Sequence, residues 1–197
     1  MDQLILKDEQ IARIDTIAKV SAGKMAEALS KWIRTQIIVN SSNASIVHYS
    51  RLLEPLTSPE DIISAILVGV TGNTTGNLIF LFDENSTLSI IKKILRREIG
   101  SMLGWDPITR SVMEETGNII GTAFLNGIAT SLNLELYPSS PIVTCDYSGA
   151  ILETMMAHAA MRGEYALSCQ ISFRSSNDEM AGIFAMLPED ISVWGRV

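Results

Sequence analysis

Ser111, Glu115 and Asn118 are the residues whose types and spacing in this chain suit chemistry. On a helix turning about 100° per residue, Ser111 and Glu115 lie about 40° apart and Glu115 and Asn118 about 60° apart, so a hydroxyl, a carboxylate and an amide share one edge. A carboxylate can pair with a cation, and an uncharged amide can donate and accept hydrogen bonds at once. A solvated helix face would present the same residues. The surroundings argue for more: Val112, Ile119, Ile120, Phe124 and Leu125 make the segment strongly apolar, while Gly117, Gly121 and Gly127 each lower helix propensity by about 1 kcal/mol relative to alanine. Glycines in such a helix imply close approach of another helix or of a partner protein.

Other candidates carry less. Gly23-Lys24 has the ending of a phosphate loop, but Ala18 stands where the first glycine belongs and Met25 where a magnesium-holding Ser or Thr belongs. The Gly72 to Gly76 turn has no lysine and joins two strands, which makes it a hairpin turn. His158 lies in a Met- and Ala-rich stretch, where packing explains it better than phospho-acceptance; the methionines supply core contacts or an adaptable docking face. Cys145 and Cys169 form no CxxC and have no histidine at ligand spacing, so buried structural thiols are expected and no metal site.

Composition bounds the class. With 47% hydrophobic and 19% charged residues the chain is a globular sequence rather than a disordered one. A net charge of −7 argues against a nucleic-acid partner, which demands a basic face. No run reaches the roughly 18 apolar residues of a membrane span, and the N-terminal stretch has neither a basic region nor a cleavage site of a signal peptide. The expectation is a cytoplasmic protein with a protein or small-molecule partner.

The elements that must position the three residues follow from periodicity. Apolar residues from Ile11 to Ile33 predict a helix over Gln10 to Arg34. After the polar break Asn40 to Asn43 come strand-like runs at Ser45 to Leu53 and Ile62 to Val70, then a hairpin through Thr71 to Gly76 into Leu78 to Phe82. Ser86 is the expected N-cap of a helix through Arg97, closed by Gly100. Asp106-Pro107 opens a second long helix to about Ser131, with proline at its first position. The Pro138 to Pro141 break, a helix from Ser148 to Met161 and strands at Ala166 to Arg174 and Met180 to Leu187 complete the chain. Two alignments, Lys19-Val20-Ser21 on Asn118-Ile119-Ile120 and Gly76 to Glu84 on Ala181 to Glu189, suggest that the second half repeats the first. The expected architecture is a single α+β domain over residues 1–197. It is made of two pseudo-two-fold αβ repeats, about 8–100 and 105–190, which share one sheet packed with the two long helices.

These residues resemble the CheC/CheX/FliY family of chemotaxis phosphatases, whose signature is Asp or Ser, three residues, Glu, two residues, Asn, then twenty-two residues and Pro. Ser111, Glu115, Asn118 and Pro141 fill all four positions. Thr116-Gly117-Asn118-Ile119 looks like the family's Ile-Gly-Asn-Ile, and Ala22-Gly23 with Ala28-Leu29-Ser30 looks like parts of its first helix. CheC proteins usually carry the signature twice; here the first copy would fall on Ala12, Thr16, Lys19 and Ser42, all replaced.

The resemblance implies a CheC-like fold and a phosphatase acting on the aspartyl phosphate of a CheY-like response regulator, with one active site in the second half. By that similarity Glu115 would pair with the regulator's lysine, and Asn118 would orient the attacking water. Ser111 and Pro141 support the motif, and Thr16 and Lys19 mark a degenerate first site. Magnesium belongs to the regulator, and no cofactor of the chain's own is implied. A non-catalytic adaptor that binds the deamidase CheD or the phosphorylated regulator is the rival reading, with CheD docking expected near Ile151 to Met161.

Overall fold

The computed structural model describes residues 8–54, 58–100, 102–159, 165–174 and 179–188. Its elements, in chain order, are α1 (Asp8–Ile33), β1 (Ile38–His48), a 3₁₀ turn (Tyr49–Arg51), β2 (Ile62–Gly72), β3 (Gly76–Asp83), α2 (Glu84–Leu95), α3 (Pro107–Leu132), β4 (Leu136–Pro138), β5 (Ile142–Tyr147), α4 (Ser148–Ala159), β6 (Tyr165–Arg174) and β7 (Glu179–Pro188). Seven strands make one antiparallel sheet in the order β1-β6-β7-β3-β2-β4, with β5 pairing β2 beyond β4 on the same edge.

Exchanging β1 with the β4–β5 edge, β2 with β6 and β3 with β7 leaves this order unchanged, about an axis between β3 and β7. At that axis Phe80 faces Phe184 across the ladder, their rings 4.9 Å apart, and Phe82, Phe124 and Phe173 join them in one aromatic cluster. The two edges also match in detail. The register of β1 shifts between Val39 and Ser41, and the offset that brings Lys19 onto Asn118 brings these two onto Pro138 and Ser140, where β4 gives way to β5.

Side-chain alternation divides the core. Ile66, Val68, Phe80, Phe82, Phe173 and Phe184 face α1, α2 and α3, while Ile63, Ala65, Ile79, Leu81 and Ile183 face α4 and the Leu52-Leu53 corner. The two long helices run antiparallel across the first face. Lys24 donates to the Asn126 carbonyl and to Thr130 Oγ1, and Trp32 near the end of α1 donates to Thr116 in the first half of α3. Lys24, considered above as a phosphate-loop lysine, is thus an interhelical tie. The helix backbones approach closely at Gly127, where an added Cβ would lie 2.5 Å from Ser21 Cα.

Several expectations need correction. Asp83, not Ser86, caps α2: its carboxylate accepts from Ser86 N at 2.7 Å, and Ser86 is buried inside the first turn. The helix ends at Arg96 in the left-handed region (φ 54), four residues before Gly100. The polar stretch Asn40 to Asn43 does not break the chain but continues β1, an edge strand that pairs on one side only, and the expected strand through Leu53 stops at His48. The Pro138 to Pro141 break hides β4, which ends at Pro138, and β5, which begins after Pro141; both lie on the opposite edge, where no further described strand pairs with them. Cys169 is buried but Cys145 only half so. Burial, the largest effect at each, pushes both thiols up to about 12. The side chain of His158 and the stretch to Met161 lie outside the described residues. No described helix is long and apolar enough to cross a membrane.

The glycines of the helix layer make opposite demands. Gly23 is exposed on α1, and a Cβ there would meet nothing within 4 Å, whereas Gly127 meets the α1 backbone. Gly127→Ala is expected to lower stability by about 1–3 kcal/mol through overpacking, and Gly23→Ala to raise it by about 1 kcal/mol. Denaturant midpoints of the two variants check both signs.

Candidate functional site

The site begins with how α3 is held at its start. Asp106 accepts from Thr109 N at 2.7 Å, with Pro107 at the first helical position, and Arg97 leaves the end of α2 to pair with Asp106 and to reach Thr109 Oγ1 at 3.3 Å. The backbone hydrogen bond from Thr109, followed by Arg97, holds the Asp106 carboxyl down at about 2. From this anchored end the helix turns Val112, Met113, Thr116, Gly117 and Ile120 inward, leaving Ser111, Glu115 and Asn118 exposed along one edge.

The middle of the helix is clamped from two sides. A Cβ on Gly117 would lie 2.4 Å from Ile66 Cγ2 and 3.1 Å from Pro141 Cβ, so the α3 backbone rests on β2 and on the proline itself. On the α1 side, Trp32 Nε1 donates to Thr116 Oγ1 at 3.0 Å, and that hydroxyl donates to the Val112 carbonyl at 2.7 Å.

The stretch between β4 and β5 forms the second bank. Ser139 N donates to the Gly69 carbonyl, Gly69 N donates to Ser139 Oγ at 2.8 Å, and Ser139 Oγ donates to the Ser140 carbonyl at 3.0 Å. Gly69 suits this approach, since a Cβ there would lie 3.0 Å from the serine oxygen and press on it. Arg110 Nη1 donates to the Val143 carbonyl and ties the two banks together. Between them lies an open groove of about 470 Å³ lined by Ser111, Glu114, Glu115, Asn118, Pro138, Ser139, Ser140 and Pro141.

All four signature positions therefore meet on one surface. Glu115 and Asn118 make no side-chain hydrogen bond or ion pair with another described residue, so both groups are available to a visitor. Glu114, Pro138, Ser139 and Ser140 also line the groove without having been singled out in the sequence. The signal that could have found them is the serine pair between two prolines, which reads as a breaker until Gly69 is placed opposite it.

The first-half positions are arranged differently. Ala12, Thr16 and Lys19 share an exposed edge of α1, but Thr16 Oγ1 donates back to the Ala12 carbonyl at 2.9 Å and Lys19 pairs with Asp15 at 2.5 Å. Asp15 also accepts from Ala44 N at 3.2 Å, which keeps it toward β1. Ser42 lies in β1, and its side chain is outside the described residues.

The anchored start of α3 has a pH signature. The Asp106 carboxyl is depressed in the folded chain, so the stability its charge contributes is complete above the ordinary value of 3.8 and is lost as pH falls through about 2. Asp106→Asn, which retains an oxygen acceptor but no charge, is expected to show a Tm deficit that is constant from neutral pH down to that ordinary value and then closes in more acid solution. Thermal melts of both proteins across this range test it.

No protein-family model matches the chain. It is similar in sequence to the CheY-P phosphatase CheC of Bacillus subtilis strain 168, with 24% identity over 188 residues that make up 93% of this chain and 90% of that protein. In fold it is similar to the crystal structure of Thermotoga maritima FliY, at a TM-score of 0.77 and 12% identity over 98% of each chain. It is also similar to a chain of the Borrelia burgdorferi CheX–CheY complex formed with BeF3 and magnesium, at a TM-score of 0.55 and 15% identity over 87% of this chain and 97% of that one. Likeness in sequence and in fold thus extends over nearly the whole length, and on that ground the chain is a homologue of CheC and has an α+β fold similar to those of FliY and CheX.

Proposed function

We propose that this protein hydrolyses the aspartyl phosphate of a CheY-like response regulator, with one working site, in the second of two repeats. The observation that carries the reading is that Glu115 and Asn118 share the exposed edge of α3 beside Pro141 with no side-chain partner among the described residues, whereas Thr16 and Lys19 of the first half are bonded within α1. The palindromic strand order supports the two repeats. Such a regulator brings the phosphoaspartate, the magnesium ion and a lysine, so the phosphatase has little covalent chemistry to supply. Glu115 pairs with that lysine and fixes α3 over the phosphoryl group. Asn118 hydrogen-bonds a water in line with the phosphorus–oxygen bond to the aspartate. As the water oxygen bonds to phosphorus that bond breaks, giving the free aspartate carboxylate and inorganic phosphate, which takes up the proton lost from the water.

The choice of an amide follows from charge. An aspartate at position 118 would bring a negative group against an anionic phosphoryl, and a lysine, as at position 19, has no acceptor with which to orient a water. Removing a group whose role is positioning is expected to cost on the order of 10²-fold in turnover.

Substoichiometric amounts of the protein, added to phosphorylated regulator, are expected to shorten the lifetime of its phosphate. Asn118→Ala and Glu115→Ala should each abolish the effect to within that factor, and Lys19→Ala should leave it intact. Full activity in Asn118→Ala, or an effect that requires one protein per regulator, would replace hydrolysis with a binding role.

A further inference from the structure

The hydrogen bond from Trp32 to Thr116 breaks the symmetry of the two halves. Under the offset that brings Lys19 onto Asn118, Trp32 corresponds to Ser131 and Thr116 to Ile17. Ile17 has no polar side-chain atom, so the mirrored bond cannot form. The tie exists in one direction only, from the first-half helix to the second-half helix that carries the signature residues. We propose that Trp32 is a positioning residue for the groove, and that in this way the first half serves the chemistry of the second. The proposal rests on the phosphatase reading above.

The physical chain is short. Thr116 Oγ1 donates to the Val112 carbonyl, four residues back. Back-bonding of a threonine to the carbonyl four residues earlier is a common cause of helix bending, so the hydroxyl's position bears on the local course of α3. Trp32 Nε1, 3.0 Å away, occupies the hydroxyl's acceptor side and holds it in that orientation. The turn from Val112 to Thr116 overlaps the turn from Ser111 to Glu115, and Asn118 begins the next. Thr116 is fully buried, and the donor that reaches its hydroxyl is the indole N–H of Trp32. On the other flank the Gly117 backbone is seated on Ile66 and Pro141. Helix α3 is thus seated on the sheet at Gly117 and on the α1 backbone at Gly127, and at the turn that carries the signature residues its polar tie to α1 is the Trp32–Thr116 bond. Loss of that bond changes the direction of Glu115 and Asn118 without unseating the helix.

Three variants test this in the full chain. Thr116→Val keeps the volume and removes the hydroxyl; Trp32→Phe keeps an aromatic ring and removes the donor; Thr116→Ser keeps the hydroxyl. Steady-state turnover of phosphorylated regulator is expected to show kcat about tenfold lower in the first two, with KM within twofold of wild type, and recovery in Thr116→Ser. Combining Thr116→Val with Trp32→Phe should cost no more than either alone, because both remove one interaction. All assays belong well below the melting temperature measured for each variant. Unchanged kcat in Thr116→Val, equal losses in the valine and serine variants, or additive losses in the double variant would each overturn the positioning role. Asn118→Ala is the reference: if it keeps full turnover, the phosphatase reading itself falls. If it is inactive while Thr116→Val is normal, only the role of Trp32 falls.

Discussion

The site depends on the approach of the α3 backbone to the sheet at Gly117. With no side chain there, the helix sits directly on Ile66, and Pro141 closes against the same point. A side chain at 117 would lift the helix off β2 and move the proline bank away from it. One contact thus sets the height of the helix, the position of the loop between β4 and β5, and the width of the groove between them. Gly121 continues the seat along β2, where an added Cβ would meet Val68 at 3.2 Å. The helix gives up about 1 kcal/mol of intrinsic propensity at each glycine. That cost is offset by the dense packing it permits among Ile66, Val68, Phe80 and Phe124.

The rest of the fold supplies the rigidity against which that contact works. The axis of the palindromic sheet passes through the Phe80 and Phe184 region, where both rings are buried, so both edges hang from one centre. Edges are where such a fold can vary without losing its core. On one edge β1 runs through its bulge as a continuous strand. On the other the equivalent irregularity opens fully, β4 and β5 separate, and Ser139 is drawn onto Gly69 to pin the gap. The groove is the enlarged form of an irregularity that both edges possess.

How much of this was legible in the sequence depends on whether the determining contact is local. The capping of α3 by Asp106 and Pro107, the hairpin at Thr71 to Gly76 and the shared edge of Ser111, Glu115 and Asn118 are set within a few residues, and each was readable. The cap of α2 was misread because Ser86 and Asp83 are both capping types, and only the geometry of the strand end selects the aspartate. The second bank was invisible for a different reason. Pro138-Ser139-Ser140-Pro141 carries every local signal of a breaker, and its role arises from a partner 70 positions away. The Trp32–Thr116 bond spans 84 positions and leaves no periodic trace at all. The spacing from Asn118 to Pro141 did carry long-range information, because Pro141 must return to Gly117 after the helix turns back into the sheet edge.

The same constraints bear on why the first half, under the proposed reading, does no chemistry. Its deficit is not confined to Thr16 and Lys19. Asp15 holds the Lys19 ammonium while also accepting from Ala44 N, so a new amide at 19 would border a carboxylate already committed to β1. At position 42 no proline interrupts the edge, and β1 stays paired with β6 on both sides of its bulge, leaving no gap between two short strands. Gly117 corresponds to Ala18, whose side chain is itself part of the core. A working edge therefore needs the helix seat, the open bank and the unpartnered pair together. Substitution of the pair alone would place the right groups over a closed edge. The half that lacks all three still contributes its sheet, its helix and the indole of Trp32 to the half that has them.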